Sequence, residues 1–339
     1  MKWKFDGQTI AGGNGKGDLL NQLSCHEGIY VDNEEQCIYI ADTDNHRIVK
    51  WKLYENNGQI VAGGNDHENK IERLCKPTDV ILDQKSQSLI MCDSGNRRVV
   101  RWSLENPNDK EILIENIQCW GLMMNQNGDL FVSDFENDAV KRWRKGRKEA
   151  IVAGGNGCGN QLNQLNCPTY IFIDREETIY VSDWGNHRVM KWLKGAKEGI
   201  VVAGGQGKGI SLNQLNYPCG LVVNEIGDIY VADWGNDRIM CWPLGSKKGR
   251  VVVGGNGRGE ESNQLYRPTG LSFDVENNLY VVDQWNHRIQ RFNTDRDSIS
   301  VLQDKSSDLL LVSRNHIMFY TDSFIYFQSQ DHYGISIKT

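Results

Sequence analysis

The chain has 339 residues and a formal net charge of −6, so its surface as a whole is not suited to binding a polyanion. No window approaches the roughly 18 apolar residues of a membrane-spanning helix, and the first residues do not resemble a signal peptide. Nine cysteines, without a Cys-x-x-Cys pair, argue against a disulfide framework and a structural zinc site. We expect a soluble, cytoplasmic protein without cofactor or metal. Secretion stays open as an alternative, because the sequence begins inside a repeat and a leader would precede it.

One pattern of about ten residues recurs six times along the chain. An apolar run ends in Asp, four residues follow, and Arg usually opens a second apolar run that closes on an aromatic residue. The clearest copy reads Asp-Trp-Gly-Asn-His-Arg-Val-Met-Lys-Trp at 183–192. This order predicts a strand, a tight turn and a second strand. The repeats are centred on Asp42, Asp93, Asp134, Asp183, Asp233 and Asp283. Six in-phase copies, 41 to 51 residues apart, identify a repeat protein.

Each complete repeat carries four short apolar runs and shows no helical period. In the fourth repeat these runs are residues 170–173, 179–181, 188–192 and 200–203. Four strands per repeat in six repeats predict an all-β, six-bladed β-propeller with four-stranded antiparallel blades. The sixth repeat lacks an outer strand with the common pattern, and residues 8–13 have that pattern. We therefore expect the N-terminal strand to pair with the last blade and close the ring, which removes an unpaired sheet edge.

The repeats assign residues 1–292 to the propeller and residues 293–339 to a strand-rich C-terminal appendage. An alternative is a seven-bladed ring that includes residues 309–327, with 298–302 as the outer strand of the sixth blade and 8–13 in the seventh. We favour six blades, because the tail lacks the Asn-His-Arg signature and a Gly-Gly turn.

Glycine-rich connections lead into most repeats and predict compact crossings from one blade to the next. Clear copies are residues 12–23, 154–165, 204–215 and 254–265, and a degraded copy is residues 63–74. No such connection precedes the third repeat. They are not expected to be phosphate cradles with Lys16, because no helix follows them to supply dipole support.

The motif at 183–192, with residues 179–182 and Pro168 before it, resembles the NHL repeat, and the copies at 233–242 and 283–292 match nearly as well. The third repeat departs from the pattern at 134–139, where His and Arg are replaced, and Arg97 replaces His in the second. Members of this family form propellers, most often six-bladed, so the resemblance implies the same fold. It implies no single activity, because relatives include ubiquitin-ligase and RNA-binding regulators, receptor-kinase sensor domains and a peptide-amidating lyase.

Residues that recur in every repeat are expected to serve the blade itself. Asp and Asn would hold the turn, and Arg would form hydrogen bonds across blades. The same argument removes His46, His187 and His287 from consideration as a shared zinc site.

The residue after the repeat Asp varies, and in several repeats it is aromatic. Aromatic rings at loop tips supply a large contact area at low entropic cost. We predict a monomeric, non-enzymatic binding or scaffold module whose loops engage a protein or peptide. The predicted binding residues are Phe135, Trp184 and Trp234 at this position and Trp285 one residue further on. Packing of these rings against neighbouring crossings stays open as the alternative.

Two further functions stay open. RNA binding would use basic loops on the opposite face, with phosphate contacts and base stacking, although acidic hairpins share that face. The candidate residues are Lys145, Arg147, Lys148, Lys194, Lys197, Lys247, Lys248 and Arg250. A metal-dependent lyase or hydrolase would need a site in the axial channel, for which no catalytic residue can be assigned.

Overall fold

The computed structural model describes residues 2–64, 73–106, 108–144, 146–147 and 149–295, and the backbone of three further strands between 310 and 329. The chain divides into two compact units, Trp3–Thr294 and a second unit of Asp295–Thr339 with Met1–Lys2.

The first unit consists of six four-stranded antiparallel sheets in a propeller ring, as predicted. Blade 1 contains Ile29–Asp32, Cys37–Asp42, Arg47–Lys52 and Gln59–Gly63. Blade 2 contains Pro77–Asp83, Ser88–Asp93, Arg98–Ser103 and Lys110–Glu115. Blade 3 contains Cys119–Met124, Leu130–Asp134, Ala139–Trp143 and Ala150–Gly154.

The second half of the ring repeats this arrangement. Blade 4 contains Pro168–Ile173, Ile179–Asp183, Arg188–Trp192 and Ile200–Gly204. Blade 5 contains Pro218–Val223, Ile229–Asp233, Arg238–Trp242 and Arg250–Gly254. Blade 6 contains Pro268–Phe273, Leu279–Asp283, Arg288–Phe292 and the N-terminal strand Gln8–Gly12. The helical segments among the described residues are short 3-10 turns at Thr43–Asn45, Ser94–Asn96, Trp184–Asn186, Trp234–Asn236 and Gln284–Asn286.

The N-terminal strand closes the ring, which confirms the expectation from the sequence. Gln8 pairs with Arg291 and Gly12 pairs with Arg288, both antiparallel. Trp3 extends the closure, because its ring is buried 5.2 Å from Tyr230 on blade 5. The outer edge of blade 6 is thus covered by the other end of the chain.

Hydrophobic cores lie between successive blades. In most blades the third strand carries a buried Trp or Phe at or near its end, as Trp192 and Trp242 illustrate. Each clear glycine-rich crossing ends in a fully buried leucine, such as Leu215. Gly204, at the start of that crossing, has a φ of +66°, and an added Cβ would lie 2.6 Å from the carbonyl oxygen of His187. The crossing therefore requires glycine at this position.

The second unit contains a three-stranded antiparallel sheet of its own, formed by Leu310–Ser313, His316–Thr321 and Phe324–Ser329. The seven-bladed alternative is wrong, because Gln8–Gly12, which it assigned to a seventh blade, completes the sixth. The candidate strand at 298–302 lies outside the described residues. None of the helices in the described part of the chain is long and apolar enough to span a membrane.

Candidate binding face

Strands alternate in direction within each blade, so the repeat turns and the crossings emerge on one face, here called the loop face. The hairpins between the first and second strands emerge on the opposite face, here called the hairpin face. The predicted aromatic binding residues lie on the loop face, and the basic loops lie on the hairpin face.

The recurring Asp is a structural hub. Asp183 is fully buried, and its Oδ2 accepts hydrogen bonds from Arg188 Nε at 2.7 Å and Asn186 Nδ2 at 2.8 Å. Its Oδ1 accepts the backbone N–H of Asn166 at the end of the crossing. Burial raises the pKa of Asp183, and these donors oppose the rise. The same Asp–Arg contact occurs at Asp42 and Arg47, Asp93 and Arg98, Asp233 and Arg238, and Asp283 and Arg288. The predicted turn-holding role is confirmed.

The recurring Arg fixes the crossing to the blade. Arg188 donates to the carbonyls of Asn160, Gln161 and Gln164, at 2.9 to 3.1 Å. These carbonyls belong to the crossing that connects blade 3 to blade 4. The prediction of hydrogen bonds across blades is therefore refined, because the partner is the crossing and not the neighbouring sheet.

The residue before the first residue of the third strand connects one blade to the next in several repeats. It has a φ between 50° and 55° in all six repeats, a left-handed conformation. The Nδ1 atoms of His46 and His187 accept the backbone N–H groups of Lys76 and Tyr217 on the following blade, at 3.0 and 3.1 Å. Asp237 does the same for Arg267, at 2.8 Å. His46 and His187 thus connect neighbouring blades by hydrogen bonds. Within the described residues, no group of three or more His, Cys, Asp or Glu could hold a metal ion.

The predicted binding residues Trp184 and Trp234 lie close together at the joint between blades 4, 5 and 6. The ring centroid of Tyr217, the residue before the first strand of blade 5, is 4.2 Å from Trp184 and 6.1 Å from Trp234. Both tryptophans are half-buried, because they pack on the start of the next blade. The inner side of each ring therefore packs against the protein, as the packing alternative states, and the outer side faces solvent.

Arg267 and Trp285 continue this group on blade 6. The guanidinium carbon of Arg267 lies 3.7 Å from the Trp234 ring centroid and 5.5 Å from that of Trp285. Trp285 is 48% exposed. We call the set the aromatic row, and its members are Trp184, Tyr217, Trp234, Arg267 and Trp285.

The fourth predicted binding residue, Phe135, lies apart from the aromatic row on blade 3. Its ring stacks on Trp120, with centroids 5.2 Å apart. The indole Nε1 of Trp120 is buried and has no hydrogen-bond partner. Trp120, Trp184 and Trp234 all pack against one core cluster that includes Tyr170 and Cys219.

The variable position after the repeat Asp also contacts the next blade where it is polar. The Thr43 hydroxyl donates to the Pro77 carbonyl at 2.8 Å. The Gln284 Nε2 donates to Glu27 Oε1 at 2.5 Å. Variation at this position therefore changes a contact between blades as well as the exposed surface.

Single-copy acidic residues near the ring axis were not identified from the sequence. Glu27 and Asp79 lie at the first strands of blades 1 and 2, and both are more than nine-tenths buried. The Tyr170 hydroxyl on blade 4 reaches to 3.5 Å from the Thr78 carbonyl on blade 2. Burial, together with the charges of Glu27 and Asp79, raises the pKa of Tyr170. A side chain of blade 4 therefore reaches the backbone of blade 2, which is not its neighbour, across the axis.

Burial is the main cause of the perturbed acidities at the axis. It raises the pKa of Glu27 to about 8 and that of Asp79 to about 7. Asp79 accepts two backbone N–H groups, whereas Glu27 Oε2 is buried without a partner. A repeat alignment could have revealed both residues, because Thr or Gly occupies most of the equivalent positions.

A hydrogen-bonded chain connects the axis to the aromatic row. Trp234 Nε1 donates to Gln284 Oε1 at 3.4 Å, and the amide of Gln284 donates to Glu27. The single-copy carboxyl and the exposed rings are thus parts of one connected region.

The hairpin face carries the basic residues of the RNA-binding alternative. Lys194 pairs with Glu177 at 3.0 Å. Arg147 lines a groove of about 830 Å³ between blades 2 and 3, and Lys194 and Lys197 line a groove of about 530 Å³ between blades 3 and 4. Lys247, Lys248 and Arg250 lie on blade 5, in and after the loop that leads to its outer strand. Lys145 and Lys148 lie outside the described residues.

Comparison with known proteins agrees with the repeat and the ring. The NHL repeat family matches residues 265–292. No curated protein is similar to the chain in sequence. Similar solved structures include a protein of unknown function and an auxiliary nutrient binding protein, both from Bacteroides thetaiotaomicron. Their TM-scores are 0.68 and 0.67 at 15% and 14% identity, and the alignments cover 85% of this chain and 75% and 76% of theirs.

A catalytically inactive virginiamycin B lyase from Staphylococcus aureus, solved with quinupristin, is also similar. Its TM-score is 0.54 at 10% identity, with 90% of this chain and 94% of the lyase covered. Likeness at such low identity shows the fold alone. The chain is thus a six-bladed β-propeller whose sixth repeat matches the NHL repeat, and the five further copies of the pattern support an NHL-repeat propeller.

Proposed function

We propose that this propeller is a non-enzymatic binding module and that its loop face engages a protein or peptide through the aromatic row. The observation that carries the proposal is the arrangement itself, in which four aromatic side chains and one arginine follow one another across blades 4 to 6. Tryptophan, tyrosine and arginine are the residue types that contribute most to binding at protein interfaces.

The row is already ordered without a partner. Trp184 and Trp234 are held by packing on the next blade, and Trp234 is also held by its hydrogen bond to Gln284. Rings fixed in this way lose little conformational entropy when a ligand binds. A half-exposed Trp285 adds apolar surface for a partner to cover.

The RNA-binding alternative is less well supported. The cations around the grooves of the hairpin face are partly neutralised, since Arg142 contacts Asp129 and Glu177 and Arg144 contacts Asp129. These pairs lower the positive potential that phosphate groups require. We further propose a monomeric, cytoplasmic protein, since its nine free cysteines fit a reducing compartment.

A binding selection with random peptides tests the proposal. The wild-type protein should enrich a set of peptides, and Trp184→Ala combined with Trp234→Ala should lose them. Tyr54→Ala is the matched control, because Tyr54 is an exposed aromatic residue in a loop of the hairpin face. Trp285→Ala is a further row variant that should retain the fold, because its ring is half-exposed. It should also lose peptides, which separates loss of binding from misfolding of the double variant. Equal enrichment by the wild type and the row variants would overturn the proposal.

A further inference from the structure

We infer that Arg267 is the receptor for a carboxylate, and that the ligand of the loop face is a peptide segment with an internal Asp or Glu between apolar residues. This inference rests on the proposed function and specifies its ligand. It depends on the position, the pairing and the surroundings of one side chain.

Arg267 is held in place by its backbone and by its neighbours. It lies directly before the first strand of blade 6 with a φ of +54°, and its N–H is bound by Asp237. Its guanidinium contacts the Trp234 ring and lies near Trp285. A guanidinium that is stacked on an aromatic face is preorganised for a bidentate contact with a carboxylate.

Among the described residues, the Arg267 guanidinium has no hydrogen bond or ion pair, and its Nε is buried without a partner. Other arginines of the loop face are paired. Arg258 also stacks on an aromatic ring, that of Tyr266, but its Nε lies 3.3 Å from Asp237 Oδ2. Arg97 pairs with Glu136. Arg267 is thus a fixed cation beside two aromatic rings, and its guanidinium forms no ion pair with a carboxylate of the described residues.

Charge complementarity selects the ligand chemistry. A carboxylate would balance the charge of Arg267, and charge-assisted bidentate pairs are among the strongest hydrogen bonds in proteins. Partial removal of water by the Trp rings strengthens such a pair. A cationic ligand would meet a like charge at the same position.

The position of the cation within the row favours an internal acidic residue over a chain terminus. In the order of the blades, Trp234 on blade 5 follows Trp184 and Tyr217, and Trp285 lies on blade 6, and both Trp234 and Trp285 lie near the Arg267 guanidinium. Apolar ring surface is therefore available to residues both before and after the acidic one. A terminal carboxylate would use only one of these sides.

The test is a selection from a random library of N-acetylated, C-amidated peptides, in which side chains provide the only carboxylates. Wild-type protein should enrich Asp or Glu with apolar neighbours. Exchange of that residue for Asn or Gln in a selected peptide should weaken binding about tenfold or more. Arg267→Gln should bind the acidic and amide peptides equally, and Arg267→Lys should keep only part of the discrimination because it lacks the planar fork.

Arg258→Gln is the matched control, since it removes a stacked but paired arginine and should leave the preference for the acidic peptide unchanged. Thermal unfolding of each variant checks that the fold is retained. Enriched peptides without an acidic preference would overturn this inference and leave the binding proposal intact. Loss of discrimination in Arg258→Gln equal to that in Arg267→Gln would also overturn it. No enrichment above the Trp184→Ala, Trp234→Ala background would overturn the proposed function, and the inference with it.

Discussion

Blades 3 and 4 differ in the features that the other repeats share. Blade 4 is preceded by a glycine-rich crossing and has the recurring Arg188, whose guanidinium binds three carbonyls of that crossing. Blade 3 is preceded by a short connection and has Ala139 at the equivalent position. The arginine and the crossing are absent together while the turn remains, which indicates that the arginine mainly serves the crossing.

The Asp remains in blade 3 even though its arginine is lost. Asp134 is fully buried, and Lys141 replaces the missing charge with its Nζ at 3.0 Å. Asp134 Oδ1 accepts the backbone N–H of Asn137 within the turn. The equivalent oxygen of Asp183 accepts a backbone N–H at the end of the crossing. The comparison separates two roles, since Asp and Asn form the turn and Arg attaches the crossing.

The largest effect is expected from Arg188→Ala in blade 4. The substitution removes the positive charge beside a buried carboxylate and the donor to three crossing carbonyls, so the free energy of unfolding should fall by about 3–5 kcal/mol. Lys141→Ala in blade 3 should cost less, about 2–3 kcal/mol, because it also removes the charge beside a buried carboxylate but no crossing depends on Lys141. Urea unfolding measures both. Equal losses would mean that the arginine serves the turn.

Glu27→Gln tests an acidic residue of blade 1 that has no counterpart in blades 3 and 4. In the folded protein Glu27 has a pKa of about 8, above its ordinary value of 4.5, so it stays protonated at neutral pH. The unfolded chain ionises Glu27 above pH 4.5, so the wild type should lose stability between about pH 4.5 and 8.

The Gln variant should lack this loss and exceed the wild type by a few kcal/mol at pH 8, with a much smaller difference at pH 4. Urea midpoints measured from pH 4 to 9 provide the comparison. A residual decline up to about pH 7 is expected in the variant, because burial also raises the pKa of Asp79. Parallel curves for the two proteins would contradict the assignment of a protonated Glu27.

A crossing glycine after blade 4 and a hairpin glycine of blade 3 offer a third comparison. Gly204→Ala should cost about 2–4 kcal/mol, because its Cβ would press against the His187 carbonyl and Leu215 in addition to the strain of a positive φ. Gly128→Ala in the hairpin of blade 3 has a φ of +82° but open space around it, so about 1–2 kcal/mol is expected. Thermal unfolding separates the two. A cost at Gly204 no greater than at Gly128 would show that the crossing adapts easily.

The smallest expected effect concerns binding. Trp285→Ala should weaken a selected peptide about tenfold, because Trp285 is a half-exposed member of the aromatic row. Phe135→Ala should weaken it by about two- to threefold, since Phe135 packs on Trp120 outside the row. Calorimetric titration measures both. A larger loss at Phe135 than at Trp285 would move the centre of the site to blade 3.

The sequence predicted the architecture because every local signal was repeated. Strand order, turn positions and the missing outer strand at residues 8–13 could all be read from six copies, and the loss of Arg at Ala139 was visible in the same comparison. The sequence placed Phe135, Trp184 and Trp234 on three successive blades of the loop face. In the structure the two tryptophans contact Tyr217, whereas Phe135 packs on Trp120.

The remaining features depend on contacts that the curvature of the ring creates. Tyr170 and Thr78 are 92 residues apart, and they meet only because their strands face a common axis. The stacking of Arg267 on Trp234 depends on a left-handed backbone conformation and on the exact direction of two side chains. Neither follows from spacing in one sequence.

Hydrogen–deuterium exchange of the protein with and without a selected peptide tests most directly whether the loop face is the binding surface. Protection is predicted at residues 183–187, 216–217, 234–237, 266–267 and 284–287, which carry the aromatic row. No change is predicted in the hairpins at 174–178 and 224–228. Protection confined to those hairpins, with an unchanged loop face, would contradict the account.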